Sequence, residues 1–400
     1  MEDWKEYRLG DICNISRGSS PRPIQNFLSN KGMPWVKIAD ATASNSRFIA
    51  NTSQFIIPEG IDKSKKVFVG DLIVSNSATP GLPKFMAIDA CVHDGWLIIR
   101  DIKEATKDFL YYNFINIRRE LSNQANGSVF MNLKTDIVKN FTIKLPNLRT
   151  QNKIVEILKS LDDKIELNRQ INDNLEQQAQ ALFNHYFVEN TELLGEYDEV
   201  SLLDIASYTN GLAMQKYRPS EDETSYLPVM KIKELGQGFT DSNSDICTCN
   251  IPEIYIINSG DIIFSWSGTL MVKIWCGETA GLNQHLFKVS SESYEKWFYY
   301  FWTKYHLRKF INIAKDKAVT MGHIKREDLA KSKVILPNQA TLQNLNKIFS
   351  PIMDSIINNE IESKQQVQLR DTLLPRLMSG ELKINEINCL ILIYGRVERI

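Results

Sequence analysis

A chain of 400 residues with 43% hydrophobic and 24% charged side chains is long enough for two or three soluble domains, each with its own core. Its formal net charge of −1 excludes a globally basic protein, so DNA binding would need lysines and arginines gathered on one surface. The charged N-terminus, MEDWKEYRLGD, lacks a signal-peptide core, and no apolar run approaches the roughly eighteen residues of a membrane span. Six scattered cysteines are typical of reduced thiols, and we expect a cytoplasmic protein without membrane contact.

The first part of the chain predicts a mixed α/β domain. Short runs broken by Gly, Pro, Asn and Ser (PWVKIAD, KVFVGDLIVSNS and DGWLIIRD) predict strands. An aromatic-rich helix, DFLYYNFINIRRELSNQ, follows them, and a last strand, FTIKLP, ends at Pro146.

A long helix comes next. Residues 150–187 contain neither Gly nor Pro, and their apolar residues recur mostly at intervals of three and four. The spacing predicts an amphipathic helix with a coiled-coil seam, about 50 Å long at roughly 1.5 Å per residue. A single rod with one apolar stripe needs a partner.

The second half repeats this order of elements. YRLGDIC, GDLIVSNS, FLYYNF and IKLPN return as VSLLDIA, GDIIFSWS, WFYYFW and VILPN. The displacements for Leu9/Leu202, Gly70/Gly260, Tyr111/Tyr299 and Leu145/Leu336 are 193, 190, 188 and 191. A period this long indicates a duplicated domain. A second amphipathic helix starts near Thr341, where Pro351 and Pro375 predict kinks or fraying.

Asparagines fall on or beside both helical seams. They are Asn168 and Asn172 in the first helix and Asn358 and Asn359 in the second. A buried Asn would fix register and partner number at a cost in stability. The alternative is that all four lie on the solvent-exposed side of the seam, and the sequence leaves both interpretations open.

Catalytic motifs are mostly missing. The chain has no phosphate-binding loop, no dinucleotide fingerprint, no H-E-x-x-H and no nucleophile elbow. Of the [DE]-x-K tripeptides that a nuclease would use, only the one at Asp101 follows a predicted strand. Cys247 and Cys249 form a C-x-C without a second pair or nearby His, so we expect no metal site. The chain is predicted to be non-catalytic.

The loops between the predicted strands carry DNA-binding chemistry in both halves. Lys and Arg neutralise phosphates, Arg, Asn and Gln pair with base edges, and Ser and Thr steady backbone contacts. The candidate DNA-binding residues are Arg17, Ser19, Arg22, Asn76, Ser77, Thr79, Lys84, Asn126, Lys134, Lys216, Tyr217, Arg218, Trp266, Ser267, Lys273, Asn283, Gln284, His285, His323 and Lys325.

The order of elements resembles the specificity subunit of type I restriction–modification enzymes. GDIIFSWSGT, GLNQHLFKV, TMGHIKREDLAKSKVILP and LRDTLLPRLMSGEL are each similar to recurring segments of that family. The first half lacks the Trp-Ser-Gly of the second, and the tail after residue 384 has no counterpart there.

The resemblance implies an α+β fold: two globular mixed α/β target recognition domains joined by two long antiparallel coiled-coil helices, duplicated with pseudo-twofold symmetry. The expected segments are recognition domains at 1–148 and 191–338, helices at 149–190 and 339–384, and a tail of unknown role at 385–400.

Several functional expectations follow from the resemblance. Each domain would read one half of a bipartite, asymmetric site in double-stranded DNA for host defence. The helices would set the spacing and dock two methyltransferase subunits, and endonuclease/translocase subunits would join them. The resemblance implies no cofactor in this chain and S-adenosylmethionine in the methyltransferase.

Two other classes of function remain in view. One is an enzyme of the same defence system, which would need a nuclease or methyltransferase motif. The other is a scaffold whose domains bind protein or glycan. The scaffold predicts no salt-dependent DNA affinity, whereas phosphate contacts demand a steep loss of binding with salt.

Overall fold

The computed structural model describes residues 4–43, 46–125, 132–316 and 324–382. The chain falls into two compact units. Unit 1 comprises the residues up to Asp163 together with those from Val367 onward, and unit 2 comprises Lys164–Gln366. Both unit boundaries therefore fall inside the predicted long helices and not at their ends.

Unit 1 begins with a series of short strands and one-turn helices. Its elements before the first long helix are β1 (Lys5–Arg8), α1 (Leu9–Ile12), β2 (Asn14–Arg17), β3 (Leu28–Ser29), β4 (Met33–Val36), α2 (Ile38–Thr42), β5 (Phe48–Ile49), β6 (Gln54–Ile56), α3 (Pro58–Ile61), β7 (Lys65–Val67), β8 (Leu72–Ser75), β9 (Pro83–Met86), β10 (Ala90–Val92), β11 (Trp96–Arg100), α4 (Lys107–Ala125), α5 (Thr135–Asn140) and β12 (Thr142–Leu145). The first long helix, α6 (Leu148–Asn184), starts in unit 1 and ends in unit 2.

Unit 2 repeats most of these elements. They are β13 (Tyr197–Ser201), α7 (Leu202–Ile205), β14 (Ser207–Asn210), β15 (Tyr226–Met230), α8 (Ile232–Gln237), β16 (Ile246–Thr248), β17 (Ile256–Ile257), β18 (Ile262–Ser265), β19 (Met271–Ile274), β20 (Ala280–Leu282), β21 (Leu286–Ser290), α9 (Lys296–Asp316), α10 (Arg326–Ala330) and β22 (Lys333–Pro337). The second long helix, α11 (Gln339–Met378), follows and ends in unit 1.

The sheets show the same duplication. In unit 1 the strand orders are β2-β11-β8-β9-β5, β3-β6-β4-β10-β7 and the pair β1-β12. In unit 2 they are β14-β21-β18-β19, β16-β15-β20-β17 and the pair β13-β22. Among the described residues, each unit therefore has two mixed or antiparallel sheets and a two-stranded ribbon that joins its first strand to its last. The predicted duplication and the mixed α/β fold are confirmed.

The repeated Gly-Asp pairs form equivalent turns. Gly70 and Gly260 have φ of 84° and 90°, in the left-handed region that favours glycine. The next residue caps each turn, since the Asp71 and Asp261 carboxylates accept the backbone N–H three residues earlier, at 2.9 and 2.8 Å. This part of the sequence repeat is explained by backbone geometry.

The aromatic-rich helices α4 and α9 pack into the cores of their units. In unit 1, Phe109 and Phe114 of α4 are buried with residues of β8 and β11. In unit 2, Trp297 stacks on Phe349 of α11 with ring centroids 4.2 Å apart. These helices therefore attach the sheets of each unit to its part of the long helices.

Helix α11 runs without a break through Pro351 and Pro375. The fraying expected there does not occur, and a kink at either proline stays a prediction. Both prolines lie on the exposed side of the helix. There the carbonyl groups that lose a partner remain open to water, which reduces the cost of a proline inside a helix.

The asparagines of the seam divide between the two interpretations. In unit 2, Asn168 is buried, and its Nδ2 donates to the Asn359 carbonyl at 3.2 Å and to the Glu362 carboxylate at 2.8 Å. Asn172 donates to the Ile356 carbonyl at 3.0 Å and accepts from Asn359 at the same distance. These contacts pair α6 and α11 in antiparallel register, whereas the neighbouring Asn358 is exposed.

In unit 1, ion pairs and a hydrogen bond to a carboxylate connect α6 to its neighbours. Arg370 of α11 donates to the buried Asp162 of α6 at 2.8 Å. The Tyr112 hydroxyl of α4 donates to the other oxygen of the same carboxylate, also at 2.8 Å. Arg47 pairs with the adjacent Asp163. The carboxylates of α6 therefore connect α11, α4 and the segment before β5.

Candidate nucleic-acid interface

Four chain segments meet at one place in each unit. In unit 1 they are residues 17–20, 76–77, 93–95 and 133–134, which we call the first junction. In unit 2 they are residues 210–212, 266–267, 283–285 and 324–325, the second junction. Each junction lies where β2 or β14, β8 or β18, and β11 or β21 begin or end.

The two junctions share their backbone hydrogen bonds. In each, one segment donates two N–H groups to two consecutive strands of different sheets, β10 and β11 or β20 and β21. The carbonyl after β8 or β18 accepts from the segment before α5 or α10. The equivalent bonds are Gly18 to Trp96 (2.8 Å) and Gly211 to Leu286 (3.0 Å), Ser19 to Val92 (3.3 Å) and Leu212 to Leu282 (2.9 Å), and Leu133 to Asn76 (2.7 Å) and Ile324 to Trp266 (3.0 Å). The backbone frame is thus duplicated together with the sequence.

A glycine is required in the first segment of each junction. A Cβ on Gly18 would stand 2.1 Å from the His93 carbonyl oxygen, and one on Gly211 would stand 2.3 Å from the Asn283 carbonyl oxygen. Backbone atoms cannot move aside cheaply at such distances. These glycines allow two loops to touch and keep the neighbouring side chains at fixed positions.

The turn in the third segment is also shared. The Gly95 N–H donates to His93 Nδ1 at 2.7 Å, and the His285 N–H donates to Asn283 Oδ1 at 3.3 Å. A side chain thus accepts from the backbone two residues later in both units. Burial lowers the pKa of His93 below its ordinary value, and the charge of Asp94 opposes this.

The first junction centres on Asp94. Arg17 donates from Nε to the Asp94 carbonyl at 2.7 Å, and its Nη2 lies 3.5 Å from Asp94 Oδ2. The Nη2 atom of Arg22 lies 3.8 Å from the same oxygen. Ser20 donates to Oδ1 at 2.8 Å, and the Asn76 amide donates to the Asp94 carbonyl at 3.2 Å. Burial opposes ionisation of Asp94, but the bond from Ser20 and the charge of Arg17 hold its pKa below the ordinary value.

The inner part of the first junction is closely packed. Asn76 is 1% exposed, and among the described residues no donor meets its Oδ1. Ser77 forms an isolated bridge with Asn132. The backbone of Thr79 accepts from the Ser75 hydroxyl and donates to the Ser77 carbonyl at 2.6 Å. These polar residues support the loop from inside, and Arg17 and Arg22 form its accessible face.

The second junction uses aromatic and amide groups. The Trp266 indole N–H donates to Asn210 Oδ1 at 3.0 Å, and its ring lies 5.6 Å from that of Phe287. His285 links Ser267, 3.1 Å from its Nδ1, to the Gln284 amide, 3.3 Å from its Nε2.

Four predicted residues surround the junctions on the surface. Lys134 and Lys325 occupy equivalent positions before the first turns of α5 and α10, and both are exposed. Lys216 and Arg218 are exposed on the loop after the second junction. Between them, the Tyr217 ring packs against a small cluster around Met214 and Cys247.

Two predicted lysines turn inward. Lys84 is 5% exposed, and its ammonium group donates to the Ser46 carbonyl. Lys273 donates to the Gly236 carbonyl at 2.7 Å, and burial lowers its pKa against the opposing charge of Glu360. Lys84 thus binds a loop carbonyl and Lys273 a carbonyl of α8, and a phosphate contact would have to break these bonds. Asn126 and His323 lie outside the described residues.

Sequence reasoning missed four polar side chains of the junctions: Ser20, His93, Asp94 and Asn210. The repeat itself contains a signal for three of them, since Asn210 stands where the first half has the selected Arg17. His93 and Asp94 are displaced by 190 positions from Asn283 and Gln284, which were selected in the second half. Aligning the halves residue by residue would have pointed to Asp94.

The carboxylate considered for a nuclease has structural partners. Asp101 accepts from the Asn14 amide at 3.2 Å and borders an open pocket of about 360 Å³ with Asp11, Lys103 and Lys139. In the described part of the chain, no three His, Cys, Asp or Glu side chains meet so as to hold a metal ion. Of the helices that the structure describes, none is long and apolar enough to span a bilayer.

Comparisons with known proteins agree along nearly the whole chain. Residues 1–177 and 195–370 each match the type I restriction modification DNA specificity domain. The type I restriction enzyme MjaIX specificity subunit of Methanocaldococcus jannaschii is 25% identical, over 96% of this chain and 95% of its own length. The HindI specificity subunit of Haemophilus influenzae is 23% identical, over 96% and 100%. The crystal structure of a type I restriction–modification system S subunit from M. genitalium has a TM-score of 0.54 and 14% identity, covering 94% of this chain and 96% of that one.

Proposed function

Since the chain belongs to the type I restriction modification DNA specificity family, we propose that it is the subunit that selects the DNA sequence in a type I restriction–modification complex. Its own role is sequence-specific DNA binding. Methylation and cleavage are carried out by other chains of the complex. Two recognition domains in one chain would read a site in two parts.

The observation that carries this proposal is the pair of junctions. Both hold their loops with the same backbone hydrogen bonds. The accessible side chains differ, with Arg17 and Arg22 in one unit and Trp266, Gln284 and His285 in the other. Groups that differ in this way recognise different base edges, because each base pair presents its own donors and acceptors in the major groove. The two half-sites are therefore expected to differ in sequence.

The partners are two methyltransferase subunits and the endonuclease/translocase subunits. In unit 2, the long helices expose apolar side chains that a partner would cover, among them Leu167 and Ile171 of α6 and Ile348 of α11. S-adenosylmethionine would be bound by the methyltransferase subunits, and no cofactor by this chain.

The test maps methylated bases across the genome of cells that express this chain with its partner methyltransferase. A second strain carries a chain in which residues 197–337 come from a different specificity subunit. These limits move β13 and β22 together, so that their antiparallel pairing, for example Val200 with Val334, is exchanged as a unit. We expect a split motif of which only one half changes after the exchange.

Other outcomes would reject the proposal. Methylation that does not depend on this chain would remove the role in DNA selection. A motif that changes in both halves would remove the assignment of one half to each unit. DNA binding by the purified complex that does not weaken with salt would favour the scaffold, because phosphate contacts release counterions.

A further inference from the structure

Asp94 is the one acidic side chain, among the described residues of both junctions, that lies beside two arginines. We propose that Arg17 reads a guanine in the half-site of unit 1 and that Asp94 is the positioning residue that aims it. This inference rests on the proposed function and assigns to one residue of unit 1 the base that it recognises.

The geometry leaves one side of the Arg17 guanidinium available. Its Nε donates to the Asp94 carbonyl, and its Nη2 faces the Asp94 carboxylate. Both contacts lie on one edge of the planar group. Among the described residues no acceptor meets Nη1, so Nη1 and the outer N–H of Nη2 form a free fork. A fork of this kind matches the O6 and N7 acceptors of guanine.

Asp94 itself is held in place independently of Arg17. Its Oδ1 accepts from Ser20 at 2.8 Å, and its carbonyl accepts from the buried amide of Asn76 at 3.2 Å. The backbone bonds from Gly18 to the Trp96 carbonyl and from Ser19 to the Val92 carbonyl hold the chain on both sides of Asp94. A guanidinium bound to such a group loses less rotamer freedom when it meets a base, which favours both affinity and selectivity.

Charge also agrees with this arrangement. A lone carboxylate would repel the phosphates of DNA, but Arg17 and Arg22 together exceed its charge by one unit. The two arginines differ in exposure: the Arg17 side chain is 47% exposed with two contacts to Asp94, and that of Arg22 is 83% exposed with one contact at 3.8 Å. Arg22 is therefore suited to a phosphate, for which position matters less than charge.

Among the residues that the structure describes, the second junction has no equivalent arrangement. Asn210 stands where unit 1 has Arg17, and its Oδ1 accepts from the Trp266 indole. Gln284 stands where unit 1 has Asp94 and lies beside His285. A guanidinium fork held by a carboxylate is thus a property of unit 1, and the guanine contact is expected in the half-site that unit 1 reads.

The experiment uses the chain assembled with its methyltransferase subunits and the motif found by methylation mapping. Binding is measured on the cognate duplex and on duplexes in which each G·C pair is replaced, one at a time, by A·T. In the half-site of unit 1, one such replacement should weaken binding by the wild type about tenfold.

Four variants separate reading from positioning and from charge. Arg17→Lys should reduce the discrimination at that base pair to within about twofold and leave the salt slope unchanged, because it keeps the charge and loses the fork. Asp94→Asn should reduce discrimination at the same pair. Arg17→Gln should turn the preference there towards A·T, since glutamine pairs with adenine. Arg22→Ala, the matched control, should keep the discrimination and lower the salt slope by about one.

Three results would overturn the inference. The first is full discrimination at every G·C pair by both Arg17→Lys and Arg17→Gln. The second is a half-site of unit 1 that contains no G·C pair. The third is a change of discrimination that is confined to the half-site of unit 2. Unaltered discrimination in the half-site of unit 2 reports that each variant complex is folded. Failure of the proposed function would look different, because the wild-type complex would then show no sequence preference at all.

Discussion

The two junctions have the same backbone and different chemistry. In unit 1 a carboxylate, Asp94, holds two arginines, and in unit 2 an indole, an imidazole and two amides hold one another. The shared hydrogen bonds run between main-chain groups, so they survive the exchange of side chains. A duplicated reading domain can therefore change its specificity without changing its frame.

The helical seams differ in the same way. In unit 1, the ion pair of Asp162 and Arg370 connects α6 to α11. In unit 2, the side-chain hydrogen bonds of Asn168, Asn172 and Asn359 connect them. Both solutions fix the register of antiparallel helices. They should respond differently to mutation, because an unpaired buried charge costs more than an unpaired amide.

The largest effect is expected from breaking the charged seam. Arg370→Met leaves the carboxylate of Asp162, which is 5% exposed, without its cation, and should lower the free energy of unfolding by about 3 kcal/mol or more. Urea unfolding of the full chain measures this loss. The control is Arg376→Met on the same helix, whose exposed pairing with Glu381 should contribute less than about 1 kcal/mol. Equal losses in both variants would contradict a special role for the buried pair.

The next effect concerns the shared frame of the junctions. Gly18→Ala and Gly211→Ala each place a Cβ within 2.3 Å of a backbone oxygen and should cost about 2–3 kcal/mol of stability. Each should also weaken recognition of its own half-site, which competition binding with half-site variants detects. Gly236→Ala is the matched control, because its nearest neighbour would be Met271 Cε at 3.9 Å. A harmless Gly211→Ala would mean that the two junctions do not share this constraint.

A pair of buried tyrosines compares a charged acceptor with a neutral one. Tyr112 donates to the Asp162 carboxylate in unit 1, and Tyr208 shares a hydrogen bond with the Thr303 hydroxyl in unit 2. Tyr112→Phe should cost about 2 kcal/mol and Tyr208→Phe about 1 kcal/mol, because hydrogen bonds to ionised groups contribute more. Thermal unfolding of both variants at one pH gives the ranking, and the reverse order would contradict the charged seam.

The smallest effect is a pH dependence at the first junction. Burial lowers the pKa of His93 in the folded protein, so the neutral ring is favoured there. The associated stability is complete above the ordinary histidine pKa of roughly 6.5 and is lost as the pH falls from there to the folded value. His93→Asn installs the residue that unit 2 has at this position and keeps an acceptor for Gly95. The fall in melting temperature between pH 7.5 and 5.5 should be smaller in this variant than in the wild type.

Much of the fold could be predicted because it is repeated and local. The Gly-Asp turns, the strands after them and the aromatic-rich helices all follow from short patterns that occur twice. The sequence leaves a kink or fraying open at Pro351 and Pro375, and the continuous helix excludes fraying, because a proline on the exposed face of a helix is tolerated. That face is defined by which residues pack against the neighbouring helix.

The loops of the candidate site could be predicted from the sequence, but the carboxylate at the centre of the first junction could not. Arg17, Asn76 and Ser77 were selected by residue type, and the structure brings them together. Asp94 was missed, because an acidic residue is not expected at a DNA-binding surface until the arginines beside it are known. Lys84 was selected for its charge, but strand β9 turns that charge towards the Ser46 carbonyl.

By itself, the sequence determined that the chain is a duplication, where the strands and long helices run and which loops carry polar groups, because these depend on residues close together in the chain. Only the tertiary structure decided that Asp94 meets an arginine 77 positions away and that Asp162 meets one 208 positions away. Contacts over such separations depend on strand order and helix register. Those are set by the packing of the whole unit, and no short pattern contains them.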